Sequence, residues 1–398
     1  MDLSTSKDGA GFREGWPIIL ACFLTIFTAY TTAFILGPML DVMGRDLGLS
    51  LTAMGQLAAI IFVPWGIGAP LLAPISDRYG RKPVILIGLT GLSLSSIAIS
   101  FTNGYLAVAV FRFIAGLSGA LVPPTAVALI GDNFAGRIRG LAIGFATAGV
   151  AMGLLVGVPS VAFLTDYLGW RNALWISGAF GLALSLYTLL SLPSQRRTDV
   201  PSSYLASFAW MRQGASWLLM SGNVTERLMT STFLTYVSVF LIRTYEISLS
   251  AAGSMITAMS VGALIGGLLG GALAGVRRRF LIITALVLLQ GELLAFHYSG
   301  LGFLTLTIAA GFLFSFFSHL SRAAVMDDLI SIAPQARGAI IGFYSTSNQV
   351  GLFLGASLGG FAIQWGGFEA LSWLVLSAAV LGGGFYGASA WVFRGRGL

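Results

Sequence analysis

The chain has 398 residues, of which 56% are apolar and only 9% charged; its mean hydropathy is +0.88 and its formal net charge +7. A soluble domain carries about 25% charged residues, so this composition excludes a water-facing globular surface and makes lipid the expected solvent. The basic excess does not indicate nucleic acid, because it follows the gaps between apolar runs rather than forming one patch.

Runs of about 20 apolar residues cross a bilayer as helices. Twelve are expected, at Trp16–Leu40, Leu51–Ser76, Pro83–Phe101, Tyr105–Gly131, Gly140–Leu164, Asn172–Leu192, Trp217–Leu241, Leu249–Gly275, Phe280–His297, Leu301–Met326, Gly338–Ile363 and Glu369–Phe393. They are continuous, whereas a membrane β-barrel alternates apolar and polar residues along each strand. The gaps on one side hold Arg78, Arg81, Lys82, Arg137, Arg139, Arg196, Arg197, Arg212, Arg277, Arg278, Arg279 and Arg337, and the tails add Lys7, Arg13, Arg394 and Arg396. The opposite gaps hold only Arg45, Arg171 and Arg243. This positive-inside bias predicts a multi-pass protein with both termini cytoplasmic.

Cys22 is the single cysteine, so neither an internal disulfide nor a cysteine metal site is expected. Residues before the first span lack a small-residue cleavage site, and that span is expected to be retained. No GxxxxGK[ST] loop, HExxH pair or other catalytic cluster occurs, and His297 and His319 are far apart. No cofactor, no metal and no enzymatic activity are expected, and energy must come from an ion or substrate gradient.

The gap between the second and third spans reads ISDRYGRKP, Ile75–Pro83. Gly80 permits a tight bend, and an acid such as Asp77 can cap the free amides of a helix N-terminus. With Asp77, Arg78, Gly80, Arg81 and Lys82 the string resembles the loop between helices 2 and 3 of the major facilitator superfamily of secondary transporters, with Ala73 where that family has Gly. The resemblance implies a cytoplasmic latch in which Asp77 caps helix 11 and Arg81 pairs with an acid at the foot of helix 4, here Asp132.

Within the fourth span, FRFIAGLSG carries Arg112. An intramembrane arginine costs at least ~2.5 kcal/mol if it faces lipid, so it must face protein or water. Gly116 and Gly119 share its helical face and are expected to clear space for it; the resemblance implies a cavity-facing role tied to proton transfer. In the fifth span Gly149, Gly153 and Gly157 recur every four residues, a close-packing pattern, and Pro159 interrupts the ladder. This resembles the helix 5 motif of the antiporter branch, with Val158 splitting the usual Gly-Pro pair.

RGLAIGF at Arg139–Phe145 returns as RGAIIGF at Arg337–Phe343, an offset of 198 residues. The expected fold is therefore all-α and integral to the membrane, with two six-helix bundles related by a pseudo-twofold axis: residues 1–193 and 217–398, joined by a cytoplasmic linker at 194–216. Parallel halves of this kind place the substrate site between them at mid-depth.

In the seventh span Glu226 and Arg227 interrupt an apolar run, and in the tenth Thr307, Gly311, Ser315, Ser318, His319 and Arg322 form one polar stripe. Such a stripe faces the bundle axis or a water-filled cavity. The resemblance makes helices 1, 4, 7 and 10 the cavity wall. The expected substrate and proton cavity thus comprises Arg112, Glu226, Arg227, His319, Arg322, Thr28, Tyr30, Thr32, Tyr236 and Phe317, with Phe233 and Phe314 as apolar surface. More cations than anions favour an anionic or zwitterionic small molecule. Asp327 and Asp328 are expected at the cytoplasmic end of the tenth span.

The resemblance covers the whole chain and is to the drug-efflux, arabinose-efflux-permease-like branch. It implies a transporter of the bacterial inner membrane that exports a small amphipathic compound in exchange for protons. A monomer is expected, with Glu226, the carboxylate that the sequence places well inside a cavity-lining helix, as the coupling group, or else as a structural partner of an arginine. Uptake or exchange of an organic anion on the same fold is the alternative. A membrane-embedded receptor is the reading from a different class.

Overall fold

The computed structural model describes residues 15–192, 214–270, 276, 279–332 and 337–394; inside these, the side chains of 73, 74, 77, 137, 215, 323, 327, 328, 330–332, 337–339, 341, 390 and 392–394 are not described. The side-chain parts expected of Asp77, Asp327 and Asp328, and nearly all of the expected linker, lie outside the described residues.

Among the described residues, twelve helices cross the molecule. They are α1 (Trp16–Leu47), α2 (51–79), α3 (Arg81–Ser100), α4 (Tyr105–Asn133), α5 (136–168), α6 (Trp170–Ser191), α7 (Gly214–Tyr245), α8 (Leu249–Leu269), α9 (Arg279–Ser299), α10 (Leu304–Ile332), α11 (337–365) and α12 (368–394). Ten stretches are long and apolar enough to span a membrane. One of them, Gly342–Ser389, is two helices broken at Gly366 and Gly367. Helix α7 has 32 residues, but the polar turns around Asn223–Arg227 and Thr230–Thr232 dilute its apolar character and leave it outside the ten.

Proline sets several bends. Helix α1 breaks at Ile35 ahead of Pro38, and α2 at Ile61 ahead of Pro64, because proline removes a backbone donor and crowds the preceding turn. Helix α5 accommodates Pro159 by a π-turn over Gly153–Gly157, the wider turn that often marks a functional helix.

The internal repeat is visible in local geometry. Ser50 and Ser248, one repeat apart, each cap their helix by accepting a hydrogen bond from the amide three residues on, Ala53 and Ala251, both at 3.2 Å. Gly48 and its repeat mate Glu246 both adopt the left-handed conformation, at φ 65° and 52°. Packing repeats as well. A Cβ on Gly149 or Gly153 of α5 would meet the carbonyls of Phe23 or Phe27 on α1, and on Gly351 or Gly355 of α11 those of Val224 or Leu228 on α7. Small residues let these backbones approach closely.

The two halves meet along α2 and α11, which run antiparallel in contact over most of their length. Thr52 donates to Gly360 O and Gln364 Oε1, at 2.8 and 2.7 Å, and Thr346 donates to Gly66 O at 2.9 Å. At the end away from the basic loops, here called the far end, Arg243 of α7 pairs with Asp41 of α1 at 2.5 Å. Nearby, Asp166 of α5 accepts from the Ser250 amide at the start of α8 at 3.0 Å. With the Thr52 bonds between α2 and α11, these contacts close the far end.

Candidate functional site

Between the halves lies a cavity whose wall includes Tyr30 and Phe34 of α1, Arg227 and Phe233 of α7, His319 and Arg322 of α10, and Asn348 and Gln349 of α11. Helices α5 and α8 contribute Val150, Leu154, Ser260 and Ala263. No carboxylate lines it among the described residues.

The polar stripe of α10 does face inward, and its lower part, Ser315, Ser318, His319 and Arg322, borders the cavity. His319 holds its ring through Nδ1 against Ser315 O at 3.0 Å. Arg322 interacts with the Tyr344 side chain and lies within electrostatic reach of Tyr30 and Glu226. Among the described residues it makes no ion pair. Thr307, higher on the stripe, instead shares a 2.6 Å hydrogen bond with Tyr245.

Arg227 lines the cavity; Glu226 does not. The Glu226 carboxylate is 1% exposed and sits one layer behind, 3.3 Å from Arg227 Nη2. Ser321 Oγ donates to it at 2.9 Å, Ser318 Oγ at 3.5 Å and Tyr386 OH at 3.4 Å. It thereby joins α7 to α10 and α12. One turn earlier, Asn223 Nδ2 donates to Ser347 Oγ at 2.8 Å and to Asn348 Oδ1 at 3.1 Å on α11.

Six of the residues expected at the cavity lie elsewhere. Besides Glu226, Arg112 is off the wall. Its guanidinium donates to four backbone carbonyls, Thr32, Ala33, Leu57 and Ala58, at 2.9–3.2 Å. These carbonyls lie beside the proline breaks of α1 and α2, where the helical ladder is weakened. Gly116 and Gly119 do not clear space for the guanidinium as expected. They admit α2, whose Ile61, Pro64 and Trp65 a Cβ there would strike. Thr32 gives its carbonyl to Arg112, and Thr28 bonds Leu24 O at 2.9 Å. Tyr236 hydrogen-bonds Ala356 O, in a notch made by Gly55, Gly359 and Gly360. Phe317 packs on Phe316, with ring centroids 5.1 Å apart.

The wall also holds residues that sequence reasoning misses: Thr230, Asn348 and Gln349. The run Ser345–Gln349, five polar residues within an apolar span, is the signal that marks the α11 contribution.

At the basic end, Gly80 turns the chain between α2 and α3 with φ 93°. Arg81 Nε lies 3.0 Å from Asp132 Oδ2, and Arg81 Nη1 donates to Ser76 Oγ at 2.5 Å. Lys82 donates to Leu192 O at 2.7 Å, while Arg78 stacks on Tyr79. These bonds bind α2, α3, α4 and α6 of one half to each other.

The family model of the Major Facilitator Superfamily matches residues 22–221 and again 219–396. The chain belongs to this superfamily and is a transporter rather than an enzyme. A gallate transporter of Pseudomonas putida is 31% identical over 196 residues, covering 48% of this chain and 44% of that protein. Multidrug resistance protein 2 of Bacillus subtilis (strain 168) is 25% identical over 358 residues, covering 87% of this chain and 89% of that one. The fold is shared with a solved bacterial homologue of the human lysosomal transporter Spinster, in an inward-facing and occupied conformation, at a TM-score of 0.76 and 17% identity over 96% of this chain and 97% of that one.

Proposed function

We propose that this protein moves a small organic anion across the bacterial inner membrane by alternating access between its two halves. The observation that carries the reading is Arg322, a cavity-lining guanidinium that has, among the described residues, neither an ion-pair partner nor a carboxylate beside it on the wall. A cation in a low-dielectric cavity with no carboxylate against it is costly, and an anionic ligand offsets that cost. Arg227 adds a second positive group, and Tyr30 a neighbouring phenol. The name of the gallate transporter fits the same chemistry.

In this account the basic loops lie in the cytoplasm and the far end faces outward. The Asp41–Arg243 and Asp166–Ser250 contacts hold the outer side shut, and Arg81 with Asp132 stiffens the first half at the cytoplasmic side as it rocks. Glu226 is the coupling carboxylate. It reaches the cavity through Arg227 and Ser318, which touch both it and the ligand space.

Export of an amphipathic drug in exchange for protons is the second reading. Phe34, Phe233 and Phe314 on the wall favour it, as does the name of the full-length multidrug-resistance relative. Counterflow in proteoliposomes separates the two. Exchange of labelled benzoate derivatives, absent in empty vesicles, supports the anion reading; exchange confined to lipophilic cations overturns it. Alkalinisation of the medium on adding anion identifies symport, and acidification antiport.

A further inference from the structure

Gln349 of α11 is buried, 4% exposed, and lines the cavity, yet its Oε1 has no hydrogen-bond partner. Its neighbour Asn348 lines the same wall, but the Asn348 Oδ1 is taken by Asn223 at 3.1 Å. The wall hydroxyls of Thr230 and Ser315 are likewise committed, each donating at 2.9 Å to a carbonyl of its own helix. Arg227 of α7 repeats the pattern beside α11. Its Nη2 is 3.3 Å from both Ser318 Oγ and Glu226 Oε1, while its buried Nε is unpartnered. The cavity wall therefore carries an unpartnered buried donor on α7, Arg227 Nε, and an unpartnered buried acceptor on α11, Gln349 Oε1. Buried polar groups are nearly always paired, so the missing partners are expected on the ligand.

On the same wall lie Phe233 and Phe314, with ring centroids 5.2 Å apart and planes inclined by 58°. Such a tilted pair offers both a face and an edge to a third ring. Gln349 itself is seated against α2. A Cβ on Gly66 would lie 2.9 Å from the Gln349 Cβ, so the base of the amide is fixed by the contact between the halves.

We infer that Gln349 is the specificity-determining residue of this cavity, accepting a hydrogen bond from a hydroxyl on the substrate, and that the substrate class is a hydroxylated aromatic carboxylate. The carboxylate faces Arg322 and Arg227, the ring lies on Phe233 and Phe314, and the hydroxyl donates to Gln349. Gln349 also belongs to the α2–α11 contact, so a ligand that engages it ties α7 and α10 to the seam between the halves. This inference rests on the organic-anion reading and adds the hydroxyl to it.

The test is equilibrium binding to the purified full-length protein in lipid nanodiscs, using benzoate, 3- and 4-hydroxybenzoate and 4-methoxybenzoate. A site built around a hydroxyl rejects the analogue that lacks it. The better hydroxybenzoate is expected to bind at least about tenfold tighter than benzoate or the methoxy compound, the equivalent of one buried hydrogen bond. In Gln349→Met, which keeps the volume, the ratio of hydroxybenzoate to benzoate affinity is expected to fall to about one. The wild-type series needs no variant and stands even where Gln349→Met fails to fold. Equal binding of all four acids by the wild type overturns the role of Gln349 and leaves the anion reading intact. A preference that persists in Gln349→Met also overturns it. Binding of none of the acids overturns both.

Discussion

Arg227 stands between Glu226 and the cavity, with its Nη2 3.3 Å from Glu226 Oε1 while it lines the ligand space itself. An anion arriving at Arg227 therefore competes with Glu226 for one guanidinium. That competition links ligand and carboxylate, and such linkage is reciprocal. Glu226→Gln keeps the shape and an acceptor for Ser321 but frees Arg227. It is expected to tighten anion binding about three- to tenfold, within the usual range of coupling, and to leave counterflow intact. Accumulation driven by an imposed pH gradient is expected to be lost. Unchanged affinity with preserved accumulation would place the coupling group elsewhere.

Asp41 and Arg243 join the halves at the far end, with Arg243 about half exposed and Asp41 largely buried and also paired with Arg45 at 2.9 Å. Exposed pairs contribute about 0–1 kcal/mol, so Arg243→Gln is expected to shift the balance of conformations by at most about fivefold. Spin-label distances between the far ends of α1 and α7 should gain a longer population without loss of stability. An unchanged distance distribution would show that the other far-end contacts hold the closure alone.

Arg112 serves four carbonyls at two broken helices, an arrangement that lysine, with a single ammonium, cannot reproduce. Arg112→Lys is expected to destabilise the protein by about 3 kcal/mol, read as a fall in Tm. Anion affinity of the surviving folded fraction should match wild type. A fully stable Arg112→Lys that no longer binds would return Arg112 to the ligand site.

Glu246 holds a left-handed backbone at φ 52°, where its repeat mate is Gly48. That conformation costs a side-chain-bearing residue roughly 1–2 kcal/mol. Glu246→Gly is expected to raise Tm, and Gly48→Ala to lower it. A fall in Tm for Glu246→Gly would mean that the Glu246 side chain contributes more than its backbone costs.

The spans, the twofold repeat and the superfamily are legible in the sequence because bilayer thickness and charge asymmetry write themselves into composition, and because the repeat preserves its motifs. The stripe of α10 is legible too, since helical periodicity places Ser315, Ser318, His319 and Arg322 on one face. The position of Arg112 is not. Periodicity tells which face of α4 it occupies, but the carbonyls that receive it, of Thr32, Ala33, Leu57 and Ala58, belong to other helices beside their breaks at Ile35 and Ile61. Glu226 illustrates the same limit: sequence places it in the cavity helix, while a one-residue rotation puts Arg227 on the wall and Glu226 behind it. Gln349 escapes a reading that builds the wall from α1, α4, α7 and α10 alone, because α11 enters it through the α2 seam.

The most direct measurement for the central claim is anion binding to Arg322→Gln beside wild type, in nanodiscs, across aromatic carboxylates and size-matched lipophilic cations. Hydrogen bonds to a charged group contribute about 1.5–3 kcal/mol, so carboxylate affinity is expected to fall at least about tenfold, with wild type binding the carboxylates and not the cations. Wild-type binding of the cations alone, or carboxylate affinity unchanged in Arg322→Gln, would contradict it.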